Sequence, residues 1–265
     1  MKKLVFTLAT CCIMCACEQK TETNPFFTEF RTEYGAPDFD KIKIEHYEPA
    51  FLKGIEEQNA EIKAIVESRE TPGFENTIVA LDNSGRTLAR VKGVFYALTE
   101  ADTNDEMSAL SEKIAPVLSE HNDNIYLNQD LYKRVAAVWQ QEQEGKITLT
   151  TEQHRLLDRY YKAFIRSGAG LDAGKQNRLR EINKELSTLA ITFSNHVLNE
   201  NNAYRLVIDN EAELAGLPEW VKTGAAEEAK AVGKEGKWLF TLQNSSRLPL
   251  LQYADNRELR KDIYE

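Results

Sequence analysis

No cysteine follows Cys17. The four in the chain, Cys11, Cys12, Cys15 and Cys17, lie so close together that ordinary disulfide geometry is out of reach, and no other cysteine exists to bridge to. A disulfide framework is thereby excluded. Histidine is equally sparse. His46, His121, His154 and His196 come no nearer in sequence than the 33 residues between His121 and His154, so no helix turn can offer two imidazoles to a metal. No histidine precedes a glutamate, and no serine stands in a Gly-x-Ser-x-Gly elbow. Basic clusters are missing too: 33 Lys and Arg face 42 Asp and Glu, a net charge of −9. Phosphate backbones need a clustered basic surface, so nucleic acid is excluded as a partner. No internal repeat, low-complexity segment or long linker past residue 24 points to an array or to a second independent domain.

What is present starts at the N-terminus. Met1-Lys2-Lys3 is a short positive segment, and residues 4–16 are an apolar run too short to span a bilayer. Met14-Cys15-Ala16-Cys17 resembles a bacterial lipobox, with small Ala16 before the cysteine that would take the lipid. Cys15 departs from that pattern, which usually carries Ala or Ser there. An ordinary secretory leader cleaved near Ala16 is the other reading, and a zinc site in the cysteine cluster is a weaker one. The expected organisation is a lipoprotein signal peptide at 1–16, lipid attachment at Cys17 with a polar tether through 24, and a helical region at 25–265.

Beyond the tether the apolar pattern is helical. Tyr47, Phe51, Ile55, Ile62 and Val66 mark one face of a long helix that Pro72-Gly73 breaks. A second stripe runs through Ile78, Leu81, Leu88, Val91, Phe95 and Leu98. Thr103 with Glu106 forms a capping box for a helix through Met107, Leu110, Ile114, Val117 and Leu118, which Pro116 should kink or end. Leu127, Leu131, Val135 and Val138 give another helix, closed by Gly145. Thr150 and Gln153 cap the next, which Gly168 terminates, so Gly168-Ala169-Gly170 reads as a turn and not as a phosphate loop.

The cleanest stripe is Leu179, Ile182, Leu186, Leu189, Phe193 and Val197, in a helix of about 25 to 30 residues. Residues 204–208 and 238–242 are extended and can pair as a ribbon around a helical segment at 218–232. Asp255 and Glu258 cap a last helix, whose Leu259, Ile263 and Tyr264 need a partner expected to lie outside this chain. The fold class is mainly α with one small β-ribbon near residues 204–242. The many acidic side chains are solvated helix faces, and no active site emerges from the residues alone.

Taken in order, Asn24-Pro25-Phe26-Phe27, Pro37-Asp38-Phe39-Asp40 and Glu45-His46-Tyr47-Glu48-Pro49-Ala50-Phe51 resemble the start of a peptidyl-dipeptidase of the thimet-oligopeptidase family. So do Asn76-Thr77-Ile78-Val79-Ala80-Leu81, Phe95-Tyr96-Ala97-Leu98-Thr99, Thr103-Asn104-Asp105-Glu106, Asn124-Ile125-Tyr126-Leu127-Asn128, Glu213-Leu214-Ala215-Gly216-Leu217-Pro218 and Lys237-Trp238-Leu239. The run from Leu98 to Glu106 is closer to the dipeptide-releasing branch than to oligopeptidase A.

The resemblance implies the N-terminal lobe of a two-lobed helical zinc metallopeptidase, whose channel admits short unstructured peptides. Zinc in that family is held by a His-Glu-x-x-His helix and a later Glu. This chain has no counterpart to that motif, so no catalytic or metal residue is assigned, no zinc is expected on this chain, and the chain alone is expected to be inactive. Its expected partners are peptide substrate, a C-terminal catalytic region, and the membrane through lipid on Cys17. Its expected location is the periplasmic or cell-surface side of a bacterial membrane. A non-catalytic helical lipoprotein that binds peptides or docks a partner is the alternative.

Overall fold

The computed structural model describes residues 23–265. The four cysteines, the expected leader and most of the expected tether lie outside the described residues. The fold is entered at Asn24. Its Oδ1 accepts from the Phe26 amide at 3.1 Å, and its Nδ2 donates to the His46 carbonyl at 2.7 Å. These bonds seat the 3₁₀ turn Pro25–Phe27 on the start of α1 (Ile44–Glu67) and bury Phe26.

Tyr47, Ala50 and Phe51 carry the first half of α1 into one core, and Ile62 and Ile65 carry the second half into another. Between them Gly54 meets α3 (Arg86–Ala101): a Cβ here would stand 2.8 Å from the backbone N and Cα of Leu88. Only glycine allows that approach.

The stripe expected to run on from Ile78 to Leu98 is divided. A π-helical turn, Phe74–Val79, passes into the short α2 (Ala80–Asp82), and the chain turns at Gly85, with φ +73°, before α3. Ser84 Oγ donates to the Leu81 carbonyl at 2.7 Å, and Glu61 Oε2 accepts from the Gly85 amide at 2.7 Å. A side chain of α1 thus takes the place of a helical carbonyl at the break.

The helix α4 (Asp105–Tyr126) is capped by Asn104, whose Oδ1 accepts from the Met107 amide at 2.9 Å, and not by Thr103. Nor does Pro116 end it. The ring removes one N–H, but Ile114 and Ala115 before it and His121 and Ile125 after it are buried, and that packing carries the helix across. Next come α5 (Gln129–Gln143), with Gly145 just past its end at φ +67°, and α6 (Thr151–Arg166). The capping box at α6 forms as expected, Thr150 Oγ1 accepting from Gln153 N at 3.3 Å and Gln153 Oε1 from Thr150 N at 3.0 Å. Gly168, at φ +92°, closes α6 in a turn, as read. Tyr161 stacks on Trp139 at 4.4 Å between ring centroids, and α5, α6 and the ends of α1 and α4 fill the second core.

Asp172 then caps α7 (Ala173–Ala203), which at 31 residues is about 46 Å long. It leads to β1 (Leu206–Ile208) and, past a 3₁₀ turn, to α8 (Glu219–Ala231). β2 (Trp238–Phe240) pairs antiparallel with β1, Leu206 opposite Phe240 and Ile208 opposite Trp238. The ribbon survives because α8, α9 (Asn244–Tyr253) and α10 (Arg257–Tyr264) cover it in a third core.

The last helix corrects the sequence reading twice. Its cap is Asn256, accepting from Glu258 N and Leu259 N, while the Asp255 amide donates to the Ala215 carbonyl at 2.9 Å. Two of the three apolar residues on its face also find a partner within the chain, while Tyr264 stays exposed. Leu259 and Ile263 are 2% and 3% exposed against Leu214, Leu250 and their neighbours. The fold is mainly α with one small ribbon.

Candidate functional site

The four histidines sit in four settings. His46 Nδ1 accepts from the Lys43 amide at 3.0 Å at the start of α1, and His154 Nδ1 pairs with Glu142 Oε1 at 2.7 Å between α6 and α5. His196 is exposed on α7, and His121 is buried on α4. They do not converge. Among the described residues no three His, Cys, Asp or Glu side chains gather as metal ligands would. The described residues therefore do not fit a zinc site, and the cysteine cluster lies outside them. Cys17, the predicted lipidation residue, lies outside the described residues.

Two buried polar knots were not legible in the sequence. In the first, His121 Nε2 donates to Gln58 Oε1 at 2.7 Å, and Gln58 Nε2 donates to Ser84 Oγ at 3.2 Å, tying α1, α4 and the Gly85 turn together. The other ring nitrogen of His121 has no partner, and burial, assisted by the charge of Lys92, holds its pKa below the usual value of 6.5.

In the second knot, buried Arg134 of α5 donates from Nη1 to the Ser68 and Glu70 carbonyls at 3.1 and 3.3 Å. Its other arm reaches Asn76 Oδ1 and Thr77 Oγ1, both at 3.4 Å. Asn76 in turn accepts from the Gly73 amide at 2.8 Å, so one guanidinium organises the whole turn after α1. The available signal was a charged residue among the apolar-face positions Leu131, Val135 and Val138. Both knots hold helices in place and neither offers a group to a substrate.

The remaining feature is the seam between α4 and α7. Buried Asp123 accepts from Asn183 Nδ2 at 2.7 Å, Arg180 donates to Asn124 Oδ1 at 2.8 Å, and Asn195 Nδ2 donates to Glu112 Oε1 at 2.8 Å. Burial raises the Asp123 pKa against the lowering effect of Asn183 and Arg180. These bonds place a polar face of α7 against α4. The apolar stripe lies on another face, in the open. Leu186 is 56% and Phe193 70% exposed, with Ile182, Leu189 and Val197 exposed beside them. Among the described residues, that open apolar stripe is the surface feature left once the polar knots and the α4–α7 seam are accounted for.

Several of the residues carrying the family resemblance build the fold. Phe26, Phe51, Thr77, Ile78, Phe95 and Leu214 are fully buried. Asn24 spends its amide on backbone, Asn76 shares its own between backbone and side chains, and Gly216, at φ +85°, packs directly against the Tyr253 carbonyl.

Comparison with known proteins agrees. The chain is 38% identical over 244 residues, 92% of its length, to dipeptidyl carboxypeptidase of Escherichia coli, and 39% identical over 242 residues to that of Salmonella typhimurium. The chain belongs to the thimet-oligopeptidase family. Within it, oligopeptidase A of Salmonella typhimurium is 32% identical over 242 residues. No protein-family model matches the chain. The chain spans about a third of the length of the curated relatives it matches, 36% and 35% for the two dipeptidyl carboxypeptidases. The described part of this family member contains no helix long and apolar enough to cross a membrane.

Proposed function

We propose that this chain is the N-terminal, substrate-channel part of a zinc metallopeptidase that, intact, releases dipeptides from the C-termini of short unstructured peptides. The observation that carries the reading is the order of identities: 38–39% to the dipeptidyl carboxypeptidases against 32% to oligopeptidase A, over the same nine-tenths of the chain. The metal donors and the water-activating base belong, on this reading, to the region without a counterpart here. The described chain contributes packing, not chemistry. Its role is to build and rigidify one wall of the channel, which the two buried polar knots serve by fixing α1, α4 and α5.

The lipobox-like Met14-Cys15-Ala16-Cys17 supports an exported, lipid-anchored protein that works on the periplasmic or cell-surface side. Release of C-terminal dipeptides from a short synthetic peptide, followed by mass spectrometry with added zinc, tests the reading. The 265-residue chain should release nothing, and a polypeptide extended through a His-Glu-x-x-His helix should turn over. Zinc-dependent turnover by the 265-residue chain alone would overturn it. Labelling of the exported protein with a radioactive fatty acid, lost in Cys17→Ser, tests the anchor.

A further inference from the structure

We infer that the exposed stripe of α7 is the seat of an apolar helix from the part of the polypeptide that corresponds to the relatives' remaining length. The inference rests on the reading above that the chain is part of a longer peptidase, and it names the surface through which the two parts join. Ile182, Leu186, Leu189, Phe193 and Val197 are all exposed, and they form one continuous line. From Ile182 to Val197 it is about 22 Å long, some four helical turns. A line of large apolar side chains of that length is uncommon on a finished surface.

The orientation of α7 is not free. Asn183, Arg180 and Asn195 are already bonded to α4 along the helix, so α7 cannot roll its stripe inward without breaking all three contacts. A helix with a polar face fixed to one neighbour and an apolar face left open is built to lie between two layers. The length comparison supplies the second layer. The chain matches 36% of the dipeptidyl carboxypeptidase of Escherichia coli, so most of that relative's length has no counterpart here.

Thiol labelling tests the inference. Phe193→Cys and Leu186→Cys place a thiol on the stripe, and Thr188→Cys places one on an exposed position of the same helix away from it. Each is reacted with a maleimide in the 265-residue chain and in the extended polypeptide, and the modified peptides are read by mass spectrometry. Stripe thiols should react freely in the 265-residue chain and about tenfold or more slowly in the extended one, while the Thr188→Cys thiol reacts alike in both.

Equal reactivity of the stripe in both polypeptides overturns the inference, as does a reading frame that stops after Glu265. Protection within the 265-residue chain that grows with its concentration assigns the stripe to a second copy. Protection by anionic phospholipid vesicles assigns it to a membrane. Either also overturns the inference. The dipeptide-release assay is scored separately: a protected but inactive extended polypeptide fails the activity and keeps the interface, and an active one with reactive stripe thiols does the reverse.

Discussion

His121 Nε2 and Gln58 Oε1 meet at 2.7 Å inside the helical body, and the carbonyl oxygen of Gln58 requires that this nitrogen carry the proton. The opposite ring nitrogen is buried without a partner, so the folded site holds a neutral imidazole. The unfolded chain therefore takes up a proton first as pH falls. Stability from this site is full above about pH 6.5 and declines below it, until the folded histidine also protonates. His121→Gln keeps the donor and removes the titration. Its melting temperature should fall less steeply than the parent's between pH 7 and pH 5, and parallel curves would count against the assignment.

Gly54 carries the contact between α1 and α3. Gly54→Ala pushes a methyl into the backbone of Leu88 and should cost about 1–3 kcal/mol in urea denaturation. Gly93, on the exposed face of the same α3, has open space where its Cβ would stand. Gly93→Ala should stabilise the fold by about 0.4–1 kcal/mol. Equal effects at the two positions would show that the close approach at Gly54 is not what the glycine serves.

Arg134→Met keeps much of the side-chain bulk but leaves the Ser68 and Glu70 carbonyls without their donor. Ser68 is half-buried and Glu70 exposed, so water takes up part of what the guanidinium gave, and an overall loss of about 1–2 kcal/mol is expected. Limited proteolysis should then cut within residues 68–76 faster than in the parent, and equal rates would count against the knot's role.

Leucines in the two kinds of stripe should behave differently. Leu157→Ala, in the second core, should cost about 2–5 kcal/mol. Leu189→Ser, on the open face of α7, should change the stability of the 265-residue chain by no more than about 0.5 kcal/mol. A large loss at Leu189 would mean that the stripe is already covered within this chain.

Periodicity and turn chemistry located nearly every helix and the ribbon, because both are local properties. Which of two adjacent cap residues is used is not local. Asn104 replaces Thr103, and Asn256 replaces Asp255 because the Asp255 amide is drawn to the Ala215 carbonyl of a distant turn. Pro116 misled for the same reason: one lost helical bond is visible in sequence, and the burial on either side of it is not. The deepest limit concerns partners. A stripe announces an apolar face and says nothing of what covers it. The sequence placed the unmet face on the last helix, where Leu259 and Ile263 are in fact buried, and gave no warning that the regular stripe of α7 stands open. His121, Arg134 and Gln58 were unreadable as a set because their contacts join residues about sixty positions apart.

α1 and α4 each run through both of the first two cores, so neither core can come apart without unwinding a helix that the other needs. The seventh helix has no such double membership and buries none of its residues fully. Amide exchange across this chain should therefore partition by shared helices and not by core: one cooperative block through α6, a second from the ribbon onward, and between them a long rod that opens at far lower free energy than either.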